Sequence, residues 1–582
     1  MTIEAWTVLG VVVATMVVLA LDRVPTVVAM TGGLLVLLLT ESVSDDVVLS
    51  GLSSPATATI AALYVVAAAI AATGALSTLI DRVLFGRTGN VGQLGVTTAS
   101  LSAFVPNTPL VALAAPRVVR WSRQHGASAS KLLMPLSFAS ILGGVITLLG
   151  TSTNLVVSDS LRSSGDDALG VFEITPVGLP VAIVGISVMV LTAPRLLRHR
   201  TAPSEAVTGV RQFEGQMVVT TDGPIAGRTV ADGGLRDLDG IYLAALERDE
   251  RVHPVAAGTV LEAGDLLFFV GDIGRLVDLQ QIAGLTSAEQ PHLLDTEGPG
   301  VRLYEAVVAG RSDLAGRTLK ESGFRSRYGA AVLAVQRSSD GMRGKLGSIP
   351  IHAGDVLVVL AAPEFNERWR DHGDFSLVAS LEEPPPPRRN RAWVAIGAMI
   401  GLVVLSAAGV LSLFAASVIA AAVVVVGGAL SMNEARHAID LNVVLTIAAS
   451  ISLGSAVAAS GLALEIGELL VRVADPLGAV GLLATTIIAT QVLTELLSNS
   501  GAAALMVPIA MAAATASGAD PRAFAIGVLV GASCSFLTPV GYQTNLMVYS
   551  LGGYRFGDFT RVGFPLTVAS TVVTTTMLTI LY

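Results

Sequence analysis

Two asparagines in each half of the chain stand beside small hydroxyl residues, within otherwise apolar sequence. In the first half they are Asn107 and Asn154, 47 residues apart, and in the second half they are Asn499 and Asn545, 46 residues apart. Carbonyl, amide and hydroxyl oxygens are the ligands of hard cations such as sodium, and the N–H groups at a helix start bind anions. The spacing therefore predicts two cation sites with one anion site between them.

The residues around the asparagines repeat as well. Pro106–Thr108 (Pro-Asn-Thr) corresponds to Ser498–Ser500 (Ser-Asn-Ser), and Gly150-Thr-Ser-Thr-Asn-Leu155 corresponds to Gly541-Tyr-Gln-Thr-Asn-Leu546. Polar breaks at matched places in two halves of a membrane protein indicate the binding site of a secondary transporter. Helix packing by hydroxyl and amide groups is the alternative, which explains one such cluster more readily than four in register.

The sequence that must position these residues is apolar enough to lie in a membrane. Of the 582 residues, 52% are hydrophobic and 14% are charged, whereas soluble proteins carry about a quarter of charged residues. This composition excludes a purely soluble enzyme. The net charge of -9 gives no indication of a nucleic-acid partner, and the single cysteine, Cys534, excludes an intrachain disulfide. No hydrolase, redox or metal-ligand constellation is present, so we expect neither an enzyme nor an organic cofactor.

Apolar runs of about 20 residues predict membrane crossings, five on each side of a polar middle. They are about 5–21, 24–40, 55–80, 130–158 and 176–194, then 392–411, 413–431, 440–473, 521–550 and 562–582. Two interrupted runs, about 91–116 and 478–511, are predicted to be re-entrant hairpins. An odd number of crossings turns the second half upside down. The sequence thus predicts an α-helical polytopic membrane protein with two inverted repeats, about 1–200 and 384–582.

Basic residues assign the two sides of the membrane. With the N-terminus outside and both hairpins re-entrant, sixteen Lys and Arg residues flank the crossings on one side, and three, Arg162, Arg472 and Arg522, on the other. Because cytoplasmic loops carry the excess of Lys and Arg, both termini are predicted to lie outside the cell. The polar middle is then cytoplasmic, and the membrane is the plasma (inner) membrane.

The polar middle, about 203–383, contains a repeat of its own. Two tetrapeptides recur about 90 residues further on, Ala226–Thr229 as Ala315–Thr318 and Ala263–Leu266 as Ala353–Val356. Strand-like runs alternate with turns, which predicts two α/β domains, about 203–290 and 299–383. No Gly-x-Gly-x-x-Gly loop is present, which argues against nucleotide binding. A dimerisation module without a ligand and a regulatory ligand site remain equal alternatives.

The membrane motifs resemble those of the divalent anion:sodium symporter (DASS) family. Pro106–Thr108 and Ser498–Ser500 are similar to its paired Ser-Asn-Thr hairpin signatures. Gly150–Asn154 and Thr538–Asn545 are similar to its paired unwound-helix motifs. The repeats of the polar middle resemble TrkA-C domains (the C-terminal RCK module), which occur in tandem in the algal and bacterial sulfate-transporting branch of that family.

This resemblance implies a homodimeric, elevator-type transporter that couples sodium to the uptake of a small divalent anion, with sulfate as the expected substrate. It implies sodium sites at Asn107, Gly150, Asn154, Ser498, Asn499, Gly541 and Asn545. It implies anion contacts from Asn107, Thr108, Ser152, Thr153, Asn499, Ser500, Gln543 and Thr544. Three departures stand out: Pro106 replaces Ser, Ser500 replaces Thr, and Ser152-Thr153 replaces Pro-Pro. They keep hydroxyls for the anion and leave the sodium stoichiometry open.

Charge separates the alternatives. No Lys or Arg lies near these motifs within a predicted crossing, which favours a small dianion over a citrate-sized trianion. Glu495 is either a proton or sodium site or a structural acceptor, and the sequence leaves both open. A sodium- or proton-coupled dicarboxylate, citrate or arsenite-type carrier is the main alternative. A channel gated by the polar middle would need a carbonyl filter such as Thr-Val-Gly-Tyr-Gly, which the sequence lacks.

Overall fold

The protein is described from a computed structural model. The chain divides into two compact units, Met1–Pro203 with Pro387–Tyr582, and Ser204–Pro386. The domain boundaries predicted at 200, 203, 290, 299, 383 and 384 lie outside the described residues. The structure describes residues 2–20, 24–75, 90–125, 127–197, 213–221, 223–236, 238, 241–248, 251–271, 279, 282–287, 302–309, 312–336, 350–352, 355–362, 364–369, 374–380, 388–474, 476 and 478–582.

The first half of the larger unit is helical. Its described helices are α1 (Ile3–Ala20), α2 (Thr26–Leu39), α3 (Asp45–Ser53), α4 (Pro55–Ala72), α5 (Val91–Ser102), α6 (Asn107–Gln124), α7 (Ser130–Gly144), α8 (Ser152–Ser163) and α9 (Thr175–Leu196). Helices α5 and α6 form the first hairpin, and residues 103–106 are its tip. Residues 145–151 separate α7 from α8 and are called the first break.

The smaller unit is built on one β-sheet. Its strands are β1 (Phe213–Val219), β2 (Ile241–Arg248), β3 (Arg251–Pro254), β4 (Leu266–Gly271), β5 (Leu285–Ser287), β6 (Arg302–Val308), β7 (Ala330–Gln336), β8 (Val356–Ala361) and β9 (Phe375–Ser380), with two short helices, α10 (Phe324–Tyr328) and α11 (Glu364–Trp369). The order is β3-β2-β4-β1-β7-β8-β6-β9, and β5 also pairs with β1. The order β2-β4-β1-β5 of the first repeat recurs as β7-β8-β6-β9, and β1 joins β7 antiparallel.

The recurring Ala-Gly-Arg-Thr tetrapeptide forms the same turn in both repeats. Gly227 and Gly316 have φ angles of 82° and 88°, and their N–H groups donate to Leu261 and Ile351 at 2.7 and 2.8 Å. Because left-handed backbone favours glycine, this turn explains why the tetrapeptide repeats. Similarity to TrkA-C domains stays a prediction.

The second half of the larger unit follows the order of the first. Its described helices are α12 (Ala392–Ala407), α13 (Leu413–Val426), α14 (Met432–Ala438), α15 (Leu441–Ala459), α16 (Leu462–Ala474), α17 (Gly478–Thr494), α18 (Asn499–Ser517), α19 (Pro521–Ser533), α20 (Gln543–Leu551) and α21 (Phe556–Leu581). Helices α17 and α18 form the second hairpin, with its tip at residues 495–498. Residues 534–542 separate α19 from α20 and are called the second break. The inverted orientation of the two halves stays a prediction.

Three of the predicted crossings prove to be interrupted. The runs 130–158 and 521–550 are each two short helices separated by a break, and 440–473 is divided at Gly461, whose φ is 78°. The helices α8 and α20 begin just before the asparagines, so Asn154 and Asn545 lie in a first helical turn and not in the break itself. The first two interruptions coincide with Gly150–Asn154 and Thr538–Asn545, the motifs that resemble unwound helices. The division at Gly461 has no such motif, and hydropathy does not distinguish apolar helix from apolar non-helical backbone.

Six of the described helical stretches are long and apolar enough to cross a membrane. They are Asp45–Ala72, Thr175–Leu196, Arg389–Ala407, Leu441–Ala459, Asn499–Ser517 and Phe556–Leu581. This supports a multi-pass membrane protein, whereas the ten crossings and the side of each terminus stay predictions. Asn499–Ser517 is the second arm of a predicted re-entrant hairpin, and 67% of its most apolar 18-residue stretch is buried within the protein.

Replacing Gly227 by alanine should loosen the first turn of the smaller unit, because a left-handed backbone costs a residue with a Cβ about 1–2 kcal/mol. Gly258→Ala is the matched control: a Cβ meets no atom within 4 Å at either glycine, and only Gly227 has a positive φ. Hydrogen exchange of the full-length protein should be faster over 223–236 in Gly227→Ala alone. Equal exchange rates in the two variants would contradict the requirement for a left-handed backbone at Gly227.

Candidate functional site

A cavity of about 620 Å³ lies where the two hairpin tips meet the two breaks. Most of the predicted site residues line it: Asn107, Thr108, Ser152, Thr153, Ser498, Asn499, Ser500, Gly541 and Gln543. Four others, Gly150, Asn154, Thr544 and Asn545, are buried and do not line the cavity. The structure therefore brings residues from both halves of the sequence to one place.

The first hairpin tip is organised by the Asn107 carboxamide, which is 3% exposed. It lies 2.5 Å from Ser102 Oγ and 2.6 Å from the Tyr542 hydroxyl. In the orientation that satisfies all its neighbours, Nδ2 donates towards Ser102 Oγ and the carbonyls of Ser140 (2.9 Å) and Gly150 (3.3 Å), and Oδ1 accepts from Tyr542. Asn107 therefore joins its hairpin to the first break and, through Tyr542, to the second half.

Asn499 holds the corresponding place on the second hairpin. Thr494 Oγ1, five residues earlier, lies 2.9 Å from Asn499 Oδ1 and 2.8 Å from the Ala532 carbonyl, as Ser102 lies five residues before Asn107. Asn499 Nδ2, in contrast, is buried without a hydrogen-bond partner among the described residues. The two tips thus share a framework and differ in how fully their amides are satisfied.

The two later asparagines close the breaks. Asn154 Nδ2 donates to the carbonyls ten and seven residues earlier, Gly144 at 2.9 Å and Thr147 at 2.8 Å. Asn545 Nδ2 donates at the same two offsets, to Ser535 at 3.0 Å and Thr538 at 3.2 Å. Non-helical backbone at membrane depth must have its carbonyls satisfied within the protein. The amides of Asn154 and Asn545 do this in both halves.

The oxygens of these two side chains differ. Asn154 Oδ1 is buried without a hydrogen-bond partner in the described part of the chain. Asn545 Oδ1 lies 2.7 Å from Ser137 Oγ, which is also 2.8 Å from Thr544 Oγ1. A buried carbonyl oxygen with no donor is a natural ligand for a hard cation. The residues of the first half therefore fit a sodium ion at Asn154 Oδ1. In the second half, the equivalent oxygen, Asn545 Oδ1, already has the Ser137 hydroxyl beside it.

A threonine in each break ties it to the adjacent hairpin tip. Thr147 Oγ1 donates to the Ala103 carbonyl. In the second half, 391 residues further on, Thr538 Oγ1 donates to the Glu495 carboxylate at 2.7 Å. The same carboxylate accepts from the N–H groups of Leu537 (2.8 Å) and Thr538 (2.9 Å). These contacts favour the structural-acceptor role for Glu495 over a proton or sodium site.

Gly150 and Gly541 are required for close packing at matched places. A Cβ on Gly150 would lie 2.5 Å from the Gly144 carbonyl oxygen, and a Cβ on Gly541 would lie 2.5 Å from Glu495 Oε2. Both distances are far below van der Waals contact. The lack of space for a Cβ therefore explains why glycine recurs in both motifs, independently of any contact between its carbonyl and a cation.

Hydroxyl and amide side chains from opposite halves meet across the cavity. Thr108 Oγ1 donates to Gln543 Oε1 at 3.1 Å, which links the first hairpin to the second break. Ser152 Oγ lies 3.4 Å from Ser500 Oγ, which links the first break to the second hairpin. Thr108 and Ser500 correspond in the two repeats, as do Ser152 and Gln543. The two contacts are therefore equivalent to each other.

Four helices begin at the wall of this cavity. They are α6, α8, α18 and α20, and their first residues are Asn107, Ser152, Asn499 and Gln543. The first N–H groups of a helix lack partners within the helix and carry the positive end of its dipole. The predicted sodium ligand Ser498 caps α18 by accepting from the Gly501 N–H at 3.2 Å. The arrangement suits a compact anion.

Among the described residues that line the cavity none carries a fixed positive charge, and the charged residue is Asp440. The Asp440 carboxylate caps α15 by accepting from the N–H groups of Asn442 and Val443 at 3.0 and 3.2 Å. An anion in the cavity is therefore held by helix N-termini, by hydroxyls and by whatever cation binds with it.

Sequence reasoning missed Ser102, Ser137, Thr494 and Tyr542. Ser102 and Thr494 share a signal, since each stands five residues before a hairpin asparagine. Tyr542 lies inside the quoted motif, but the matching residue is Thr151, so the repeat gave no reason to single it out. Ser137 has no equivalent hydroxyl, because the residue 391 positions later is Val528.

Broken helices that surround one cavity, with matched motifs in the two halves of an apolar helical unit, indicate a membrane transporter. The chain belongs to the citrate transporter family (CitMHS), whose sequence profile matches residues 16–531 and 482–582.

Individual relatives match most of the chain. The chain is 35% identical to the "Putative sulfur deprivation response regulator" of Chlamydomonas reinhardtii, over 90% of this chain and 93% of the relative. It is 33% identical to an uncharacterized transporter of Synechocystis, over 99% and 96%. It is 24% identical to sodium/sulfate cotransporter 1 of Chlamydomonas reinhardtii, over 88% and 82%. The second and third names are those of transporters, the first is that of a response regulator, and none of the three is that of an enzyme.

Asn107→Ala and Asn499→Ala should differ in stability although both asparagines lie at hairpin tips. The first variant removes a carboxamide with four neighbours, and a buried polar group left unpaired costs about 1–3 kcal/mol. The second removes an amide whose nitrogen is already unpaired. We expect the melting midpoint of the purified protein to fall by several degrees in Asn107→Ala and little in Asn499→Ala. A larger fall in Asn499→Ala would contradict these contacts.

Proposed function

We propose that the protein is a sodium-coupled carrier of a small divalent anion, with sulfate as its substrate, in the manner of the DASS family. The observation that carries the proposal is the convergence of four helix N-termini on a cavity whose described lining residues include no Lys or Arg. A compact dianion can accept hydrogen bonds from several of these N–H groups at once.

The hydroxyl and amide groups at the cavity suit the same substrate. Thr108, Ser152 and Ser500 can each donate to an anion oxygen, and Gln543 can donate from its amide nitrogen. The close contacts Thr108–Gln543 and Ser152–Ser500 bring these donors together. A tetrahedral dianion that replaces both contacts would be bound from both halves. A citrate-sized trianion would need compensating positive charge, which the lining residues do not supply.

Sodium supplies the missing charge in this account. In the first half, the proposed ligand set comprises Asn107, Gly150 and Asn154, and the unpaired Asn154 Oδ1 supports it. In the second half, the proposed set comprises Asn499, Gly541 and Asn545, once Ser137 has moved away from Asn545 Oδ1. The relative named a sodium/sulfate cotransporter agrees with this coupling. The contacts of Glu495 give no support to proton coupling through that residue.

The remaining features are proposed on the sequence and the family likeness. They are an elevator mechanism with re-entrant hairpins, a homodimer in the plasma membrane, termini outside the cell, and a cytoplasmic unit of two TrkA-C-like repeats. The continuous sheet through β1 and β7 supports treating the two repeats as one module. That module serves dimerisation or binds a regulatory ligand.

Purified protein in proteoliposomes should take up labelled sulfate when an inward sodium gradient is imposed, and not when choline replaces sodium. Because the cavity favours a compact dianion, selenate and thiosulfate should compete with sulfate, and succinate and citrate should compete poorly. Strong competition by succinate or citrate with little effect of selenate would assign the protein to the dicarboxylate or citrate carriers. Uptake driven by a pH gradient, with choline in place of sodium, would show that the coupling ion is the proton and not sodium.

A further inference from the structure

We propose that the Tyr542 hydroxyl is a latch on the first cation site: it donates to the Asn107 side-chain oxygen, and sodium binds that oxygen more strongly when the hydroxyl withdraws. The inference deepens the proposed function and rests on its sodium coupling. It concerns a residue of the second half that controls an ion site of the first.

The geometry of the latch spans both halves. Tyr542 is the last residue of the second break and lines the cavity. Its hydroxyl lies 2.6 Å from the Asn107 carboxamide on the first hairpin and 3.1 Å from Thr151 Oγ1 in the first break. The phenol therefore connects the second break to both first-half elements that are proposed to hold the cation.

The hydrogen bonds of Asn107 assign a direction to this contact. The amide nitrogen is directed at Ser102 Oγ and at the carbonyls of Ser140 and Gly150, so Oδ1 is the atom that faces Tyr542. The hydroxyl then donates to Oδ1 and can accept from Thr151. Oδ1 is the only acceptor of this side chain, and the Tyr542 proton occupies one of its two lone pairs. The partial positive charge of that proton opposes a cation at the same oxygen.

The second half is built differently at the same place. The residue that corresponds to Tyr542, 391 positions earlier, is Thr151. Asn499 Oδ1 accepts instead from Thr494 within its own hairpin. The latch therefore acts on one of the two proposed ion sites, and the sites should differ in affinity although their sequences match.

The direction in which Tyr542→Phe changes sodium affinity follows from Asn107 Oδ1, the oxygen that the substitution leaves unpaired. Without the hydroxyl, Asn107 Oδ1 becomes a buried acceptor with no donor, and a sodium ion relieves that cost without displacing anything. Tyr542→Phe should therefore strengthen sodium binding. One net hydrogen bond corresponds to a change of about three- to tenfold in the half-saturating sodium concentration.

The test is the melting midpoint of purified full-length protein against sodium concentration, with choline holding ionic strength constant and no sulfate present. A ligand that binds the folded state raises this midpoint, so sodium binding is read without transport. Tyr554→Phe is the matched control, because it removes another buried phenol hydroxyl, bonded to Ser130 and Met134, that does not line the cavity.

We expect Tyr542→Phe to lower the half-saturating sodium concentration about three- to tenfold, and Tyr554→Phe to keep the wild-type value. An unchanged or higher value in Tyr542→Phe, with a sodium response in the wild type, overturns the latch and leaves the coupling intact. No sodium response in the wild type overturns the proposed coupling, and the latch with it.

A second variant keeps the test decisive if Tyr542→Phe does not fold. Thr151→Val removes the other partner of the hydroxyl while the phenol remains. Since a less restrained hydroxyl is displaced more easily, the half-saturating sodium concentration should fall in this variant too, by less than in Tyr542→Phe. A rise would contradict the latch.

Discussion

The structure depends on one constraint: a broken helix inside a membrane must have its free backbone groups satisfied by the protein. Asn154 and Asn545 meet this need with the same pair of hydrogen bonds, to the carbonyls ten and seven residues earlier. Because the asparagine amide satisfies these carbonyls, the helix that follows each break can begin in the middle of the apolar unit. Its first residues then line the cavity.

The binding properties follow from that placement. Four helix starts at one cavity supply donors without a positive side chain, so the energy of holding an anion is distributed over many weak groups. Each is worth little alone, and for that reason we propose that the anion binds together with a cation. The two proposed ion sites differ in their contacts, since Tyr542 lies against the Asn107 carboxamide in one and Ser137 against Asn545 Oδ1 in the other.

Much of the site could be predicted from sequence because it is repeated. The paired spacing of Asn107 with Asn154 and of Asn499 with Asn545 is a strong signal, and the structure brings all four to one region. The helix breaks at 145–151 and 534–542 could not be located by hydropathy, since Val, Ile, Leu and Phe are as apolar in a loop as in a helix. The cross-half contacts of Tyr542 and Ser137 break the repeat, so no internal comparison reveals them. Sequence predicted oxygen ligands at Asn154, but not that its nitrogen closes the break.

The central claim is that both halves contribute to one anion site. The most direct measurement is the rise in melting midpoint that sulfate causes in purified protein at saturating sodium, compared among the wild type, Thr108→Val and Ser500→Ala. Thr108 and Ser500 are equivalent residues beside the two hairpin tips and come from opposite halves. Each variant should therefore need about tenfold more sulfate for the same rise in melting midpoint, as expected for the loss of one charge-assisted hydrogen bond. A sulfate response that is lost in one variant and unchanged in the other would place the anion in a single half and contradict this account.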